Sequence, residues 1–190
     1  MAFTALVDAC VFIQAALRDT IPRAAESEQF ELRIAFSWDI LDEVRHNLVA
    51  NLDVPANDAE DLVNTIVEVF EDGLVEGYGD LIPVMQNHPK DRHVLAAAVM
   101  AEAAVIVTSN VKDFPDSACS PYDIQVQTPD QFLTDLWTIA PQVMAQILVE
   151  QAESLKNPPV TLNQLLDNLA RGAPTFVYLV RESDLVRLDP

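Results

Sequence analysis

The chain has 190 residues, half of them hydrophobic, and 30 acids against 11 bases give it a formal net charge of −19. That length and apolar content exclude a disordered chain and allow one well-buried domain, or one domain with an appendage. The acidity excludes nonspecific attraction to nucleic acid, and it is concentrated, since residues 1–128 hold 22 acids and 7 bases. Cys10 and Cys119 lie far apart without CxxC spacing and read as reduced thiols of an intracellular protein. Charges interrupt the apolar runs well short of a membrane span and no basic leader opens the chain, so a cytoplasmic protein with no membrane attachment is expected.

Residues 3–7 form a continuous apolar run, the pattern of a strand buried in a parallel sheet, and the run ends on Asp8. Open α/β sheets build their sites at the carboxyl ends of their strands, which puts Asp8 where chemistry is sited. Residues 9–18 are expected as a helix and residues 30–36 as a short strand. Ser37 stands at an N-cap, and Leu41, Val44, Leu48 and Leu52 recur at helical spacing with Glu43 beside the stripe. Asn57 to Glu60 fits a capping box for a helix through about Glu71, with Leu62, Ile66, Val69 and Phe70 inward. Gly73, Gly77 and Gly79 mark a loop or short strand before residues 80–84. Asp91 can cap an Ala-rich helix that runs to about Ala104, and residues 105–107 and 124–126 read as strands.

Thr128-Pro129-Asp130-Gln131 joins a capping box to a proline at N1. From there the chain reads as helical throughout: residues 130–138, 141–156, 161–170 and 174–182. Strands alternating with helices give an α/β domain around a parallel sheet, residues 1–128, and the helices after it an all-helical extension, residues 129–190. The apolar positions Phe132, Leu136, Val143, Ile147, Leu165, Leu169 and Val177 of that extension must pack on the first domain or on a second subunit, as in a homodimer. Trp38 and Trp137 read as core or helix-packing residues.

The chemistry is carried by acids. Taken singly, Asp91 is a helix cap and Glu43 a solvated residue, but Asp8, Glu43, Asp91 and Asp113 together follow an α/β order. Carboxylates brought together raise one another's pKa unless a cation holds them. Hard oxygen ligands without a His or Cys set point to Mg²⁺ or Mn²⁺ rather than zinc, and such an ion can activate water and neutralise a phosphodiester. Arg45, Lys90, Arg92 and Lys112 lie within two residues of a candidate acid, where a phosphate backbone would be held, though neighbouring charge compensation explains them equally well. His46, His88 and His93 read as surface or supporting groups rather than ligands. There is no GxGxxG, no P-loop and no Ser or Cys nucleophile in a recognisable setting.

Four stretches, Leu6-Val7-Asp8-Ala9-Cys10-Val11, Ile40-Leu41-Asp42-Glu43-Val44, the run His88-Pro89-Lys90-Asp91-Arg92-His93-Val94-Leu95-Ala96-Ala97-Ala98, and Val107-Thr108-Ser109-Asn110-Val111-Lys112-Asp113-Phe114, resemble the successive motifs of a PIN domain, the ribonuclease fold of VapC-type toxins. The resemblance covers about residues 1–128. It implies an α/β/α sandwich around a parallel sheet and a Mg²⁺- or Mn²⁺-dependent endoribonuclease, the toxin of a type II toxin–antitoxin pair, with an RNA substrate and a cognate antitoxin protein as partners. By resemblance Asp8, Glu43 and Asp91 are the metal-binding acids. The family's fourth acid falls where this chain has Asn110, so Asn110 or Asp113 completes the catalytic set, and Thr108 binds near the site through its hydroxyl, a substrate-contact candidate with the four bases. Residues 129–190 resemble the helical extension of one subgroup of these toxins.

Two rivals remain at this level. One is a catalytically inactive PIN scaffold that acts only as a protein-interaction module. The other is a phosphatase of the haloacid dehalogenase type with Asp8 as nucleophile, which wants a second acid two residues on, where this chain has Cys10.

Overall fold

A computed structural model of the chain describes residues 3–186. The contacts divide it into two compact units. The first runs to Ile13 and resumes from Arg33 to Gln127; the second takes Gln14 to Leu32 and everything described from Thr128 onward.

The first unit is an α/β layer structure. In chain order it holds β1 (Phe3–Val7), α1 (Ala9–Ile13), β2 (Leu32–Ser37), α3 (Trp38–Leu52), α4 (Ala56–Val69), β3 (Leu74–Val75), α5 (Arg92–Met100), β4 (Val105–Val107), α6 (Asp116–Cys119) and β5 (Gln125–Gln127). The five strands form one parallel sheet in the order β3-β2-β1-β4-β5, flanked by helices. Register aligns Val7 with Val107 and Val107 with Gln127, so β1, β4 and β5 end level. The chain winds outward from β1 in one direction through β2 and β3 and then returns to start again at β4. The switch point therefore lies between the carboxyl ends of β1 and β4.

Local chemistry explains most boundaries. β1 is apolar because Ala5, Leu6 and Val7 are at most 1% exposed. Ser37 caps α3 by accepting from the Ile40 N–H (3.4 Å), and Asp53 ends the helix in the left-handed region (φ 53°). Gly73 enters β3 so close to β2 that a Cβ there would sit 2.4 Å from the Ile34 carbonyl oxygen, a contact only glycine tolerates.

Several local expectations change. The capping box at Asn57 does not form: α4 begins earlier, with Pro55 at the N-cap and no side-chain cap, and its inward residues are Ala59, Val63 and Ile66 while Val69 is 55% exposed. Residues 80–84 form a 3₁₀ helix, Gly79–Val84. Trp38 is no core residue; it opens α3 with 44% of its surface exposed, whereas Trp137 is buried.

The helix expected over residues 9–18 breaks at Gln14, which is extended (φ −84°, ψ 106°) and starts α2 (Ala15–Glu26). That helix runs through Pro22, which cannot donate to the preceding turn. Tertiary burial outweighs the loss, since Leu17, Thr20, Ile21 and Ala24 are all buried.

The second unit is helical: α2 with α7 (Pro129–Ile139), α8 (Pro141–Ser154), α9 (Leu162–Leu169) and α10 (Pro174–Glu182). Thr128 and Thr161 each form a complete capping box, with Gln131 and Gln164 respectively, and Pro129, Pro141 and Pro174 open their helices. The extension's apolar residues find their partners within this unit. Phe132, Leu136, Leu165, Leu169 and Val177 are at most 3% exposed, and α2 packs on α8 and α9. A buried amide ties that seam, because Gln151 accepts from the Thr20 hydroxyl (2.7 Å) and donates to the Ala16 carbonyl (3.2 Å). Among the described residues no single helix is long and apolar enough to cross a membrane.

Candidate functional site

Asp8 follows the last residue of β1, and its N–H is held by the Val107 carbonyl (3.1 Å), so the sheet itself fixes where the carboxylate starts. The side chain is buried, 3% exposed, and its partners are all uncharged. Oδ1 accepts from the Ala9 N–H (2.7 Å), and Oδ2 accepts from the Thr108 hydroxyl (2.6 Å) and the Cys10 thiol (3.4 Å). Thr108 follows β4, so its bond to Asp8 spans the switch point. Burial raises the Asp8 carboxyl above its ordinary range, the three hydrogen bonds oppose this, and the charge of Glu43 adds to it.

Glu43 lies on α3, half-buried, with Oε1 3.2 Å from His93 Nε2 on α5. Burial opposes charging His93, but Glu43, with Asp39 and Asp8 behind it, outweighs burial and raises the imidazole above its usual value. Asp39, one turn before Glu43, accepts from the Tyr78 hydroxyl (2.7 Å).

Asp91 occupies the N-cap position of α5 but makes no capping bond. Its Oδ2 lies 3.1 Å from His88 Nδ1 instead. Burial raises its carboxyl first, and the charges of Asp8 and Asp113 push the same way. His88, Asp91 and Asp113 offer ligand atoms that all lie within 4.8 Å of one another, and the His88 N–H to Asp113 carbonyl bond (3.0 Å) ties the two loops together.

The remaining candidates separate. Asn110 is exposed on the turn after Thr108; its N–H donates to the Thr108 hydroxyl (3.0 Å) and its carbonyl accepts from the Asp113 N–H (2.9 Å), so its backbone shapes the loop. Asp113 is the other carboxylate of the group that holds Asp91 and His88. Thr108 is 0% exposed, which leaves its hydroxyl to Asp8 and out of reach of a phosphate. Arg45 is paired with Asp42 (2.7 Å) and Glu60 (3.2 Å) on the α3–α4 surface. Lys90 and Lys112 are exposed beside Asp91 and Asp113, and the partly buried Arg92 has an Nε with no hydrogen-bond partner.

Sequence reasoning placed the histidines as surface or supporting groups without naming their partners, and it missed the thiol. The three-residue spacing of His88 and Asp91 was readable, but nothing in one dimension pairs His93 with a glutamate 50 residues earlier. Burial likewise raises the Cys10 thiol to about 11, and Asp8 adds to the shift, so Cys10 is a protonated neighbour of the carboxylate rather than a nucleophile.

The donor set suits a hard divalent cation. Among the described residues, His88, Asp91 and Asp113 form the group whose ligand atoms all lie within 4.8 Å of one another, Asp8 and Glu43 stand outside that close group, and the raised carboxyls of Asp8 and Asp91 are ones that a nearby cation would relieve. A parallel sheet with acids at its switch point defines a class, the open α/β proteins whose sites lie at the carboxyl ends of their strands. The chain belongs to the PIN-domain family, whose model matches residues 4–112. A second model, the VapC50 C-terminal domain, matches residues 129–182. A protein of Mycobacterium tuberculosis (strain ATCC 25618 / H37Rv) named "Putative ribonuclease VapC50" is 45% identical over 105 residues, a match that spans 55% of this chain and 62% of that protein. No solved structure matches the chain.

Proposed function

We propose that this protein is a Mg²⁺- or Mn²⁺-dependent endoribonuclease, the toxin of a type II toxin–antitoxin pair, which hydrolyses RNA to leave a 3′-hydroxyl and a 5′-phosphate. The observation that carries the reading is the convergence at the switch point: Asp8 locked to Thr108 across β1 and β4, with Glu43 and Asp91 both electrostatically coupled to it. The PIN family and the ribonuclease named among its relatives support the same chemistry.

Asp8, Glu43 and Asp91 hold the ion, with Asp113 beside Asp91 as the fourth acid. When bound, the ion supplies an activated water and neutralises charge developing on the phosphodiester. The protein's own part is orientation. Thr108 and the Ala9 N–H aim Asp8, His93 aims Glu43, and His88 aims Asp91. Lys90, Arg92 and Lys112 flank the acids and offer the positive charge for the RNA backbone, while Arg45 is already neutralised by Asp42 and Glu60. The antitoxin partner, a homodimer and a cytoplasmic place belong to the same proposal. Purified protein should cut single-stranded RNA with Mn²⁺ and not with chelator, and should lose cutting in Asp8→Asn and Asp91→Asn. Full cleavage by either folded variant would remove these residues from the mechanism, and a wild type that binds antitoxin but never cuts would favour the inactive-scaffold reading.

A further inference from the structure

The inference rests on the metal-binding reading above and concerns Cys10. An ionised carboxylate offers about four lone-pair positions on its two oxygens. Around the buried Asp8, Ala9 N–H takes one on Oδ1 (2.7 Å), Thr108 Oγ1 takes one on Oδ2 (2.6 Å), and the Cys10 thiol takes the other on Oδ2 (3.4 Å). The sulfur is held from its other side by the Ser109 N–H, which donates to it at 3.2 Å. Thr108 Oγ1 is a neutral acceptor 3.6 Å from the sulfur, so the charged and nearer Asp8 oxygen takes the thiol proton. Oδ2 is thus filled, and one position stays open on Oδ1.

We propose that Cys10 is a positioning residue that selects the ion: by filling Oδ2 it confines Asp8 to ligation through a single oxygen. Mg²⁺ and Mn²⁺ in octahedral oxygen shells accept carboxylates in that way, whereas Ca²⁺ takes six to eight oxygens and readily uses both atoms of one carboxylate. The filled Oδ2 therefore favours the smaller ions and disfavours Ca²⁺. An aliphatic side chain of the same size at position 10 would pack equally well and lose this discrimination, which separates the role from a merely structural one.

The test is metal affinity of the full chain, read from melting temperature against Mn²⁺ and Ca²⁺ concentration, for wild type, Cys10→Val and Cys10→Ser. Valine keeps the volume and lacks the donor; serine keeps a donor. The ratio of Mn²⁺ to Ca²⁺ affinity should fall about tenfold in Cys10→Val, the lower end for losing a group that supports a ligand, and should be largely retained in Cys10→Ser. If Cys10→Val does not melt cooperatively, Cys10→Ala takes its place with the same expectation. An unchanged ratio in the donor-free variant, or the same loss in the serine variant, overturns the assignment. A wild type that gains nothing from Mn²⁺ instead overturns the metal reading on which it rests.

Discussion

The two units differ in how their unpartnered buried polar atoms are distributed. In the helical unit the 1% exposed Gln151 uses both ends of its amide on Thr20 and Ala16, the boxes at Thr128 and Thr161 close two of the caps, and among the described residues Thr134 Oγ1 is the one buried side-chain polar atom without a hydrogen bond. In the sheet unit an acid is buried without a cation beside it, and Asn87 Oδ1, Arg92 Nε and His93 Nδ1 are buried without hydrogen bonds in the stretch that bears Asp91. Unsatisfied groups cost stability, so their clustering marks a region shaped for something other than its own fold. The helical unit carries one such atom, and the sheet unit gathers three of them, with a buried acid, around its candidate site.

The sharpest way to break this contrast is to remove charge from the acids. Asp8→Asn and Asp91→Asn should each lower RNA cleavage by more than about a hundredfold, beyond the loss expected for a supporting residue, while the folded fraction stays at wild-type level by circular dichroism. In the helical unit the same removal of buried substance should act on stability alone. Phe176→Ala empties a fully buried site that meets Trp137 edge-on (6.1 Å between ring centres), and should cost about 3–5 kcal/mol in denaturant melts.

A pH series in chelator separates the units further. Asp8 and Asp91 have raised carboxyls, so the native state holds protons that the unfolded chain has already released. Stability contributed this way grows as pH falls from neutrality through the raised native range and levels off below the ordinary carboxylate range. Metal-free wild type should therefore gain melting temperature on mild acidification, and Asp8→Asn should gain less; an equal gain would mean that Asp8 is not the group titrating. The smallest effect is at the caps. Thr161→Ala should cost about 1 kcal/mol in a denaturant melt and leave cleavage by the folded protein unchanged.

Much of the fold was readable because its signals are local. The apolar run before Asp8, the Ser37 cap and the Thr128 capping box each depend on a few neighbouring residues, and each stands where the pattern put it. What sequence could not show is tertiary. Gln14 turns one expected helix into two, and residues 15–26 then pack with helices more than a hundred residues away, a grouping that chain order hides. The site divides similarly. The acids could be named from their place after strands and before helices, but Thr108, Cys10 and His93 gain their meaning only from contacts 100, 2 and 50 residues distant. Thr108 was legible as a residue near the site, yet only its complete burial shows that its hydroxyl serves Asp8.

The central claim is that Asp8, Glu43 and Asp91 form one shared cation site, and a paired thermal melt tests it most directly. Wild type and Asp8→Asn are melted in chelator and in Mn²⁺ at about 100 times its dissociation constant, where binding adds about 2.7 kcal/mol to a competent site and shifts the transition by several degrees. The account predicts that Asp8→Asn melts at or above wild type in chelator, because one repelling charge is gone, and gains little from Mn²⁺. A mutant that melts well below wild type in chelator, or that gains as much from Mn²⁺ as wild type does, would contradict a shared site.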